Sequence, residues 1–244
     1  MTRLIMVRHG EALCNVDRKI EGRATCRGLS DLGRQQVELL RKRFEAENLR
    51  VDHLFASPIR RAAETADVLA GVLEVSVEFD SDLEEVRPGE AEGMTWDQYF
   101  AFYGMTEGWQ PNIAFAPGAE AWTEFAARVS FAIDNIALAH IGETCLIVAH
   151  GGVVDASVFH FFGLDPMLQP PLDFETTNTS ITEWQRRTFA ALRDPLIHPS
   201  EPSPEVHRWR MVRYNDAAHL GAVTVYPTAP PRSHPSDGTL SPGG

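Results

Sequence analysis

Residues 4–15 read LIMVRHGEALCN, an apolar stretch that runs directly into an arginine, a histidine, a glycine and a glutamate. The short apolar run predicts a buried strand over residues 3–7. Adjacent cationic groups are costly at the end of a buried strand unless an anion lies beside them. This stretch therefore predicts an anion-binding site at the strand end, between Arg8 and His9.

A second predicted strand ends in a similar way. Residues 144–149 (TCLIVA) predict another buried strand, which His150 and two glycines follow. Ligands of open α/β sheets bind at the carboxyl ends of the strands, so His9 and His150 can reach one crevice. Gly10 and Gly151, beside the two histidines, let backbone and ligand approach closely.

Helical patterns alternate with the strands. Two more strands are predicted over 51–57 and 75–79, and helices are predicted over 29–47, 58–73, 119–140 and 153–162. Ser57 and Pro58 are interpreted as the N-cap and the first-turn proline of the second helix. Strands that alternate with helices predict an α/β fold, a three-layer sandwich with a mostly parallel sheet and helices on both faces.

The later part of the chain has a different pattern. Residues 178–186 and 207–215 alternate apolar with polar side chains, as half-exposed strands do, and a proline-rich loop over 187–206 joins them. Residues 221–244 are rich in Pro, Ser and Gly, which predicts a flexible tail. We therefore expect one domain over residues 1–220.

An aromatic segment interrupts the pattern in the middle of the chain. Seven aromatic residues lie between Trp96 and Phe115, among glycines and prolines. We predict an irregular cap over residues 87–117. Its rings form either a small second core or a lid that contacts the organic part of a ligand, and the sequence leaves both alternatives open.

Composition and charge exclude several classes of partner. The formal net charge of -12 at pH 7 argues against nucleic acid and against a membrane surface, which both require a basic face. No apolar run approaches the roughly 20 residues of a membrane span. Cys14, Cys26 and Cys145 lack disulfide or metal-binding spacing, so we expect a cytoplasmic protein with reduced thiols. The oligomeric state is open, with a homodimer as one option.

Two arginines complete the predicted anion site. Arg8 precedes His9, and Arg61 lies in the first turn of the helix predicted over 58–73, where backbone N–H groups favour anions. A lone histidine at a strand end is more often structural, and a lone arginine on a first turn is more often solvated. Together with His150, these residues occupy matching α/β positions, so chance is a poor explanation. The set predicts a phosphate site.

Four motifs occur in order along the chain: RHGEALCN from residue 8, SPIRRAAETA from 57, LEEVRPGEAEG from 83 and IVAHGG from 147. This ordered set resembles the histidine phosphatase superfamily, with its phosphoglycerate mutase-like fold, and the resemblance covers about residues 3–220. It implies a phosphatase that hydrolyses a phosphomonoester through a phosphohistidine, without a metal or any other cofactor.

The resemblance implies a role for each matched residue. His9 would be the nucleophile, since a neutral imidazole is a good nucleophile near neutral pH. Arg8, Arg61 and, if it is protonated, His150 would hold the phosphoryl oxygens and offset their charge. Asn15 and Gly151, which carry no charge, would contact the same phosphoryl group.

Acidic residues and one further arginine complete the candidate set. Glu85 would protonate the leaving alkoxide and then activate water. It is preferred to Glu84, which we expect to be solvated, because it has the spacing that the family shows after Leu83. Glu11 would support the site, with a structural pairing to a cation as the alternative. Arg23, with Arg18 and Arg27 on the same loop, could bind a second anionic group of the substrate, although a solvated surface position is favoured.

Three other functions are weighed against hydrolysis. A phosphoglycerate mutase would use the same pocket, but the short interval between Glu85 and His150 and the lack of an E-R-x-Y-G signature favour a phosphatase. A metal hydrolase would place a divalent cation beside two arginines, which repel it. A non-catalytic module would bind phosphorylated ligands, yet every expected catalytic position is filled. The identity of the small-molecule phosphomonoester is not assigned, since positions such as Ala121 depart from the family pattern.

Overall fold

The computed structural model describes residues 1–104, 109–168, 174–190 and 205–221. The strands are β1 (Arg3–Arg8), β2 (His53–Ala56), β3 (Val77–Phe79), β4 (Thr144–Ala149), β5 (Ile181–Ala190) and β6 (Glu205–Asp216). The α-helices are α1 (Leu13–Asp17), α2 (Asp31–Ala46), α3 (Arg60–Leu73), α4 (Trp96–Tyr103), α5 (Trp122–Ala139) and α6 (Gly151–Phe162). Short 3₁₀ turns lie at Ser81–Leu83, Gly89–Ala91 and Ala218–Leu220.

The described strands form one sheet in the order β3-β2-β4-β1-β5-β6. The first four run parallel, whereas β5 and β6 pair antiparallel with their neighbours. β1 and β4 lie side by side, with Arg8 opposite Ala149. His9 and His150, which follow these two strands, therefore emerge at the same edge of the sheet. The predicted mostly parallel sheet is confirmed.

Both faces of the sheet are covered by helices because β1 and β4 are apolar on both sides. Successive side chains of a strand point to opposite faces. Leu4 and Met6 pack with α5 and α6 in one core, while Ile5 and Val7 pack with α2 and α3 in the other. This arrangement is the three-layer α/β sandwich that the sequence predicts. None of the described helices combines the length and the apolar character needed to cross a bilayer.

Helix α2 begins against the residues that follow β1. Its N-cap is Ser30, whose Oγ accepts a hydrogen bond from the N–H of Gly33 at 2.9 Å. A Cβ atom on Gly33 would lie only 1.9 Å from the carbonyl oxygen of Glu11. Only glycine fits this contact, which lets the helix pack directly against the turn after His9.

Helix α3 begins later than predicted. It starts at Arg60, and its N-cap Ile59 makes no side-chain capping bond. The interpretation of Ser57 as the N-cap and Pro58 as a first-turn residue is therefore wrong. The Ser57 hydroxyl accepts a hydrogen bond from the N–H of Ile59 at 3.2 Å and also bonds to Nε2 of His150 at 2.8 Å. The hydroxyl therefore connects the start of α3 to the residue that follows β4.

The cap predicted as irregular contains a regular helix, α4. Its N-terminus is a capping box, in which Thr95 Oγ1 accepts from the Gln98 N–H at 3.1 Å. The Gln98 side chain in turn accepts from the Thr95 N–H at 2.9 Å. The T-x-x-Q spacing of residues 95–98 is the signature of this cap, so the sequence contained the signal for α4.

The late strands extend into the predicted loop over 187–206. β5 and β6 stay paired as far as Ala190, which lies opposite Glu205. Both ends of that loop are therefore strand. Residues 191–204 of the loop, and residues 222–244 of the predicted flexible tail, lie outside the described residues.

Candidate active site

His9 lies directly after β1 and is almost completely buried. Its Nδ1 bonds to the carbonyl oxygen of Gly10 at 2.7 Å. Because a carbonyl oxygen can only accept, Nδ1 carries the proton. Nε2 keeps its lone pair and accepts a hydrogen bond from Nε of Arg61 at 3.1 Å. The two partners thus assign a neutral imidazole with Nε2 as its nucleophilic nitrogen.

The surroundings of His9 keep its ring neutral. Burial disfavours the imidazolium ion, and Arg61 and Arg8 repel it, so the pKa of His9 lies well below its usual 6.5. The neutral ring is the nucleophilic form. His9 is therefore in the form that can act as a nucleophile across the neutral pH range.

The backbone around His9 is held by side chains from two other elements. Asn178 Nδ2 donates to the His9 carbonyl at 3.0 Å. Thr65 Oγ1 accepts from the Gly10 N–H at 3.2 Å and donates to the Arg61 carbonyl at 2.8 Å. The sequence analysis does not single out Asn178 or Thr65. Thr65 lies inside the second motif, so its position in that motif was an available signal.

Arg8 and Arg61 bring two guanidinium groups to the same cavity. Both residues are buried, with exposures of 7% and 4%. Arg8 Nη1 donates to the carbonyl of Thr176, and Arg61 Nη1 donates to the carbonyl of Glu21 at 3.1 Å. These carbonyl partners orient both guanidinium groups. Two oriented cations in a buried place favour an anionic ligand.

His150 follows β4 and is completely buried. Its ring lies beside that of His9, with centroids 5.2 Å apart. Among the described residues its Nδ1 has no hydrogen-bond partner. Burial, and then repulsion by Arg61, lowers the pKa of His150 well below 6.5. These surroundings favour the neutral ring, and the predicted contact of His150 with the phosphoryl oxygens, which was conditional on its protonation, stays a prediction.

Glu85 reaches the site from the segment that follows β3. Its Oε2 accepts from the N–H of Gly152 at 3.2 Å, near the start of α6. A Cβ atom on Gly152 would lie 2.3 Å from Glu85 Oε1, whereas one on Gly151 would have ordinary contacts, the nearest 3.7 Å away on Arg8. Gly152 thus leaves the room that the Glu85 carboxylate occupies, and the predicted approach of a ligand to the backbone of Gly151 stays a prediction.

Arg128 on α5 holds the segment that bears Glu85. Its Nη1 donates to the carbonyls of Asp82 and Glu84 at 2.8 and 3.2 Å. Its Nη2 lies 3.4 Å from the carbonyl of Glu85. The same guanidinium forms a bidentate pair with Glu120, at 2.7 and 2.6 Å. The sequence analysis gives no role to Arg128, since only the tertiary structure brings α5 to this segment.

Glu84 is buried rather than solvated, contrary to the prediction. Its carboxylate pairs with Arg23 at 3.4 Å and with Arg87 at 3.3 Å. Arg23 itself is exposed and does not line the cavity. The structure therefore places Arg23 beside Glu84 and not at the predicted substrate contact.

Glu11 and Asn15 stabilise the turn after His9. The Glu11 carboxylate accepts from the Ser30 hydroxyl at 2.6 Å and does not line the cavity. It therefore supports the site through a hydroxyl group rather than through a cation. Asn15 Oδ1 accepts from the Ala12 N–H at 2.9 Å. Its amide NH₂ remains as the donor that Asn15 can offer to the cavity, which it does line.

A cavity of about 590 Å³ connects these residues with the aromatic segment. We call one part the phosphoryl end; it is lined by Arg8, His9, Asn15, Arg61 and Glu85. The other part, the cap end, is lined by the rings of Trp96, Tyr99, Tyr103, Trp109, Phe115 and Trp122. Several of these rings also pack into a small separate core around Tyr99. Among the described residues, the aromatic segment is both a second core and a cavity wall.

The model of the histidine phosphatase superfamily (branch 1) matches residues 4–194. The chain belongs to this superfamily. Phosphoglycerate mutase-like protein 4 of Arabidopsis thaliana is 32% identical over 162 residues, which cover 62% of this chain and 67% of the relative. Metal-independent phosphoserine phosphatase of the same plant is 29% identical over 170 residues, which cover 64% and 67%.

Solved structures support the same assignment. YhfR of Bacillus stearothermophilus superposes with a TM-score of 0.69 at 27% identity, covering 90% of this chain and 100% of that one. The predicted family and fold are confirmed. Membership also confirms the predicted activity class: the chain is a histidine phosphatase, a hydrolase of phosphomonoesters that works through a phosphohistidine.

Proposed function

We propose that the chain hydrolyses a small-molecule phosphomonoester in two steps, with the phosphoryl group carried on Nε2 of His9 and with no metal ion. One observation carries this assignment of roles. A neutral imidazole, two buried guanidinium groups and one carboxylate share the phosphoryl end of a single cavity.

In the first step the phosphoryl oxygens lie between Arg8 and Arg61. The Nε–H of Arg61 turns from His9 to an oxygen of the substrate, which frees the lone pair of Nε2. Nε2 attacks phosphorus, the N–P bond forms and the P–O bond to the leaving group breaks. Glu85 donates its proton to the departing oxygen. The Gly10 carbonyl, as acceptor from Nδ1–H, stabilises the positive charge that develops on the ring.

In the second step a water molecule replaces the alcohol. The Glu85 carboxylate takes a proton from the water, and the oxygen attacks phosphorus as the N–P bond breaks. Inorganic phosphate leaves, and His9 returns to its neutral form. His150 and Asn15 contribute N–H groups to the phosphoryl oxygens in both steps, and the backbone at Gly151 lies beside Arg8.

The substrate carries an organic group that extends toward the cap end. The cavity volume of about 590 Å³ lies within the range of roughly 300–1,000 Å³ of small-molecule sites. Two carboxylates of the lining are already paired, Glu21 with Arg27 at 3.0 Å and Glu120 with Arg128 at 2.6 Å. Aromatic rings thus dominate the cap end, and they favour an organic group larger than a three-carbon acid.

A panel of phosphomonoesters, assayed with and without EDTA, tests this proposal. We expect release of inorganic phosphate that the chelator does not change, and a higher kcat/KM for ring-bearing esters than for phosphoserine. The second candidate is mutase-type phosphoryl transfer, which the names of several relatives favour. Isomerisation of a phosphoglycerate faster than its hydrolysis would establish that candidate instead.

We also propose a cytoplasmic location, because Cys14, Cys26 and Cys145 are all free thiols. Fractionation of cells that produce the tagged chain tests this location, and recovery with secreted or membrane material would contradict it. A homodimer is the proposed alternative to a monomer, and light scattering distinguishes the two.

A further inference from the structure

Two histidines and a glutamate form a cluster at the edge of the sheet opposite the phosphoryl end. His53 is the first residue of β2, Glu143 immediately precedes β4, and His140 is the C-cap of α5. β2 and β4 run parallel and are neighbours, so their amino-terminal ends lie together. The catalytic histidines follow the carboxyl-terminal ends of β1 and β4. The cluster therefore occupies a separate surface, and none of its residues lines the cavity.

The three side chains already meet at one atom. Oε2 of Glu143 lies 3.1 Å from Nε2 of His53 and 2.9 Å from Nδ1 of His140. The two imidazole rings are close, with centroids 3.8 Å apart. One nitrogen or oxygen atom from each residue lies within 4.8 Å of the corresponding atoms of the other two.

This spacing suits a divalent transition metal. Zn²⁺ binds imidazole nitrogen and carboxylate oxygen at roughly 2.0–2.2 Å, so ligand atoms of a tetrahedral site lie about 3.4 Å apart. Both contacts to Glu143 are within that separation. Each of the two nitrogens donates to the Glu143 carboxylate here, and each would lose that proton on binding a cation. Two imidazole ligands also favour Zn²⁺ over Mg²⁺ or Ca²⁺, which prefer oxygen.

A second carboxylate supports the same reading. Oε1 of Glu78 on β3 lies 3.5 Å from Nδ1 of His53, the nitrogen that does not face Glu143. Histidines that bind metals usually donate their other ring N–H to a carboxylate or carbonyl, which fixes the tautomer and the ring orientation. Glu78 is placed to do this for His53.

We propose that His53, His140 and Glu143 form a Zn²⁺ site, with Nε2, Nδ1 and Oε2 as its ligand atoms and water in the fourth position. The side chains are 28%, 21% and 45% exposed, so an ion can reach them from solvent. The site links β2, α5 and the start of β4. Metal binding therefore stabilises the fold and takes no part in phosphoryl transfer at the opposite edge.

Calorimetry with Zn²⁺ on the chelator-treated full chain tests the proposal. We expect one site on the wild type that is absent when Mg²⁺ is the probe. Free Zn²⁺ at about a hundredfold excess over Kd should raise Tm by roughly 5 °C. His53→Ala combined with His140→Ala should abolish both effects. His160→Ala is the matched control, since His160 pairs only with Asp134 among carboxylates in the described residues, and it should leave both unchanged.

Two further measurements guard against a damaged fold. Glu143→Gln keeps the shape of the side chain and removes the anionic ligand, so it should weaken Zn²⁺ binding at least about tenfold. All three variants should keep wild-type phosphatase activity. A wild type that binds no Zn²⁺, or a double variant that binds it equally, would overturn the proposal. A third result would also overturn it: the variants have a lower Tm than the wild type, while added Zn²⁺ leaves the Tm of the wild type unchanged.

Discussion

The two ends of the cavity are built differently. At the phosphoryl end, Arg8, His9 and Arg61 are almost fully buried, and backbone carbonyls or a neighbouring side chain fix each of them. At the cap end, rings pack mainly on other rings, and Trp96 and Tyr103 keep part of their surface exposed. Rigid, oriented charges suit one invariant group, the phosphoryl anion. An aromatic wall adapts to whatever organic group accompanies it.

The largest effect on kcat should come from replacing Glu85, the proposed acid at the phosphoryl end. Glu85→Gln should lower kcat for an alkyl phosphate by about 10²–10⁴-fold, the range of general acid catalysis. An activated aryl phosphate should lose much less, because its leaving group needs no proton. Steady-state kinetics on both esters measures the difference. Glu90→Gln, an exposed carboxyl on the same segment, is the control. Equal losses on both esters would remove Glu85 from the acid role.

The two buried histidines, His9 and His150, should make stability depend on pH. Burial lowers the pKa of His9 and of His150 well below 6.5, so the unfolded chain binds more protons at mildly acidic pH. The contribution of these rings to the free energy of unfolding is therefore complete above about pH 6.5. Below that pH the free energy of unfolding falls, by at most about 1.4 kcal/mol per pH unit for each ring.

Urea denaturation between pH 7.5 and pH 5 measures this slope. Replacing both rings, by His9→Gln and His150→Gln, should flatten it, whereas His160→Gln on the surface should not. His219, whose pKa burial lowers to about 4, contributes a remaining slope in every variant. An unchanged slope in the double variant would show that the two rings are not held neutral.

A smaller effect is expected from the residue that positions the acid. Arg128→Met removes the donors to the carbonyls of Asp82 and Glu84 and lets Glu85 move. We expect kcat for alkyl phosphates to fall about tenfold, with KM and the aryl reaction nearly unchanged. Arg41→Met, which removes a surface pair with Glu38, is the control. Equal effects on alkyl and aryl esters would indicate general damage instead of positioning.

The smallest effect should come from the cap end. Trp96→Ala should raise KM for a ring-bearing ester about threefold to tenfold, since an aromatic contact is worth about 0.5–1.5 kcal/mol. Phosphoserine, which occupies mainly the phosphoryl end, should be unaffected. Phe102→Ala on the same helix is the control, because Phe102 is exposed and does not line the cavity. A loss of kcat on every ester would contradict this account, because it would show that the cap end also takes part in the reaction at the phosphoryl end.

The phosphoryl end could be predicted from the sequence because short-range patterns determine it. Apolar runs identify β1 and β4, and parallel neighbours bring their following residues to one edge of the sheet. Positions of His9 and His150 follow from those two facts. The motif order then identifies Arg61 and Glu85, although their distances to His9 and Gly152 needed the structure.

The remaining features depend on partners that are distant in sequence. Ser57 has the sequence of an N-cap, yet its hydroxyl also bonds to Nε2 of His150, which follows β4. Glu84 is a charged residue of the kind that is usually solvated, yet it is buried and forms ion pairs with Arg23 and Arg87. Local sequence patterns do not reveal which of several polar groups becomes the hydrogen-bond or ion-pair partner of a side chain. Helix α4 is a different case, because its capping box was visible in the sequence.

Trapping the phosphorylated enzyme tests the central claim most directly. Wild-type chain mixed with a ³²P-labelled ester and quenched within milliseconds should carry an acid-labile, base-stable label on His9. The label should persist longer in Glu85→Gln and be absent in His9→Ala, whose fold circular dichroism should show to be intact. Turnover without any labelled protein, or a label on a residue other than His9, would contradict the account.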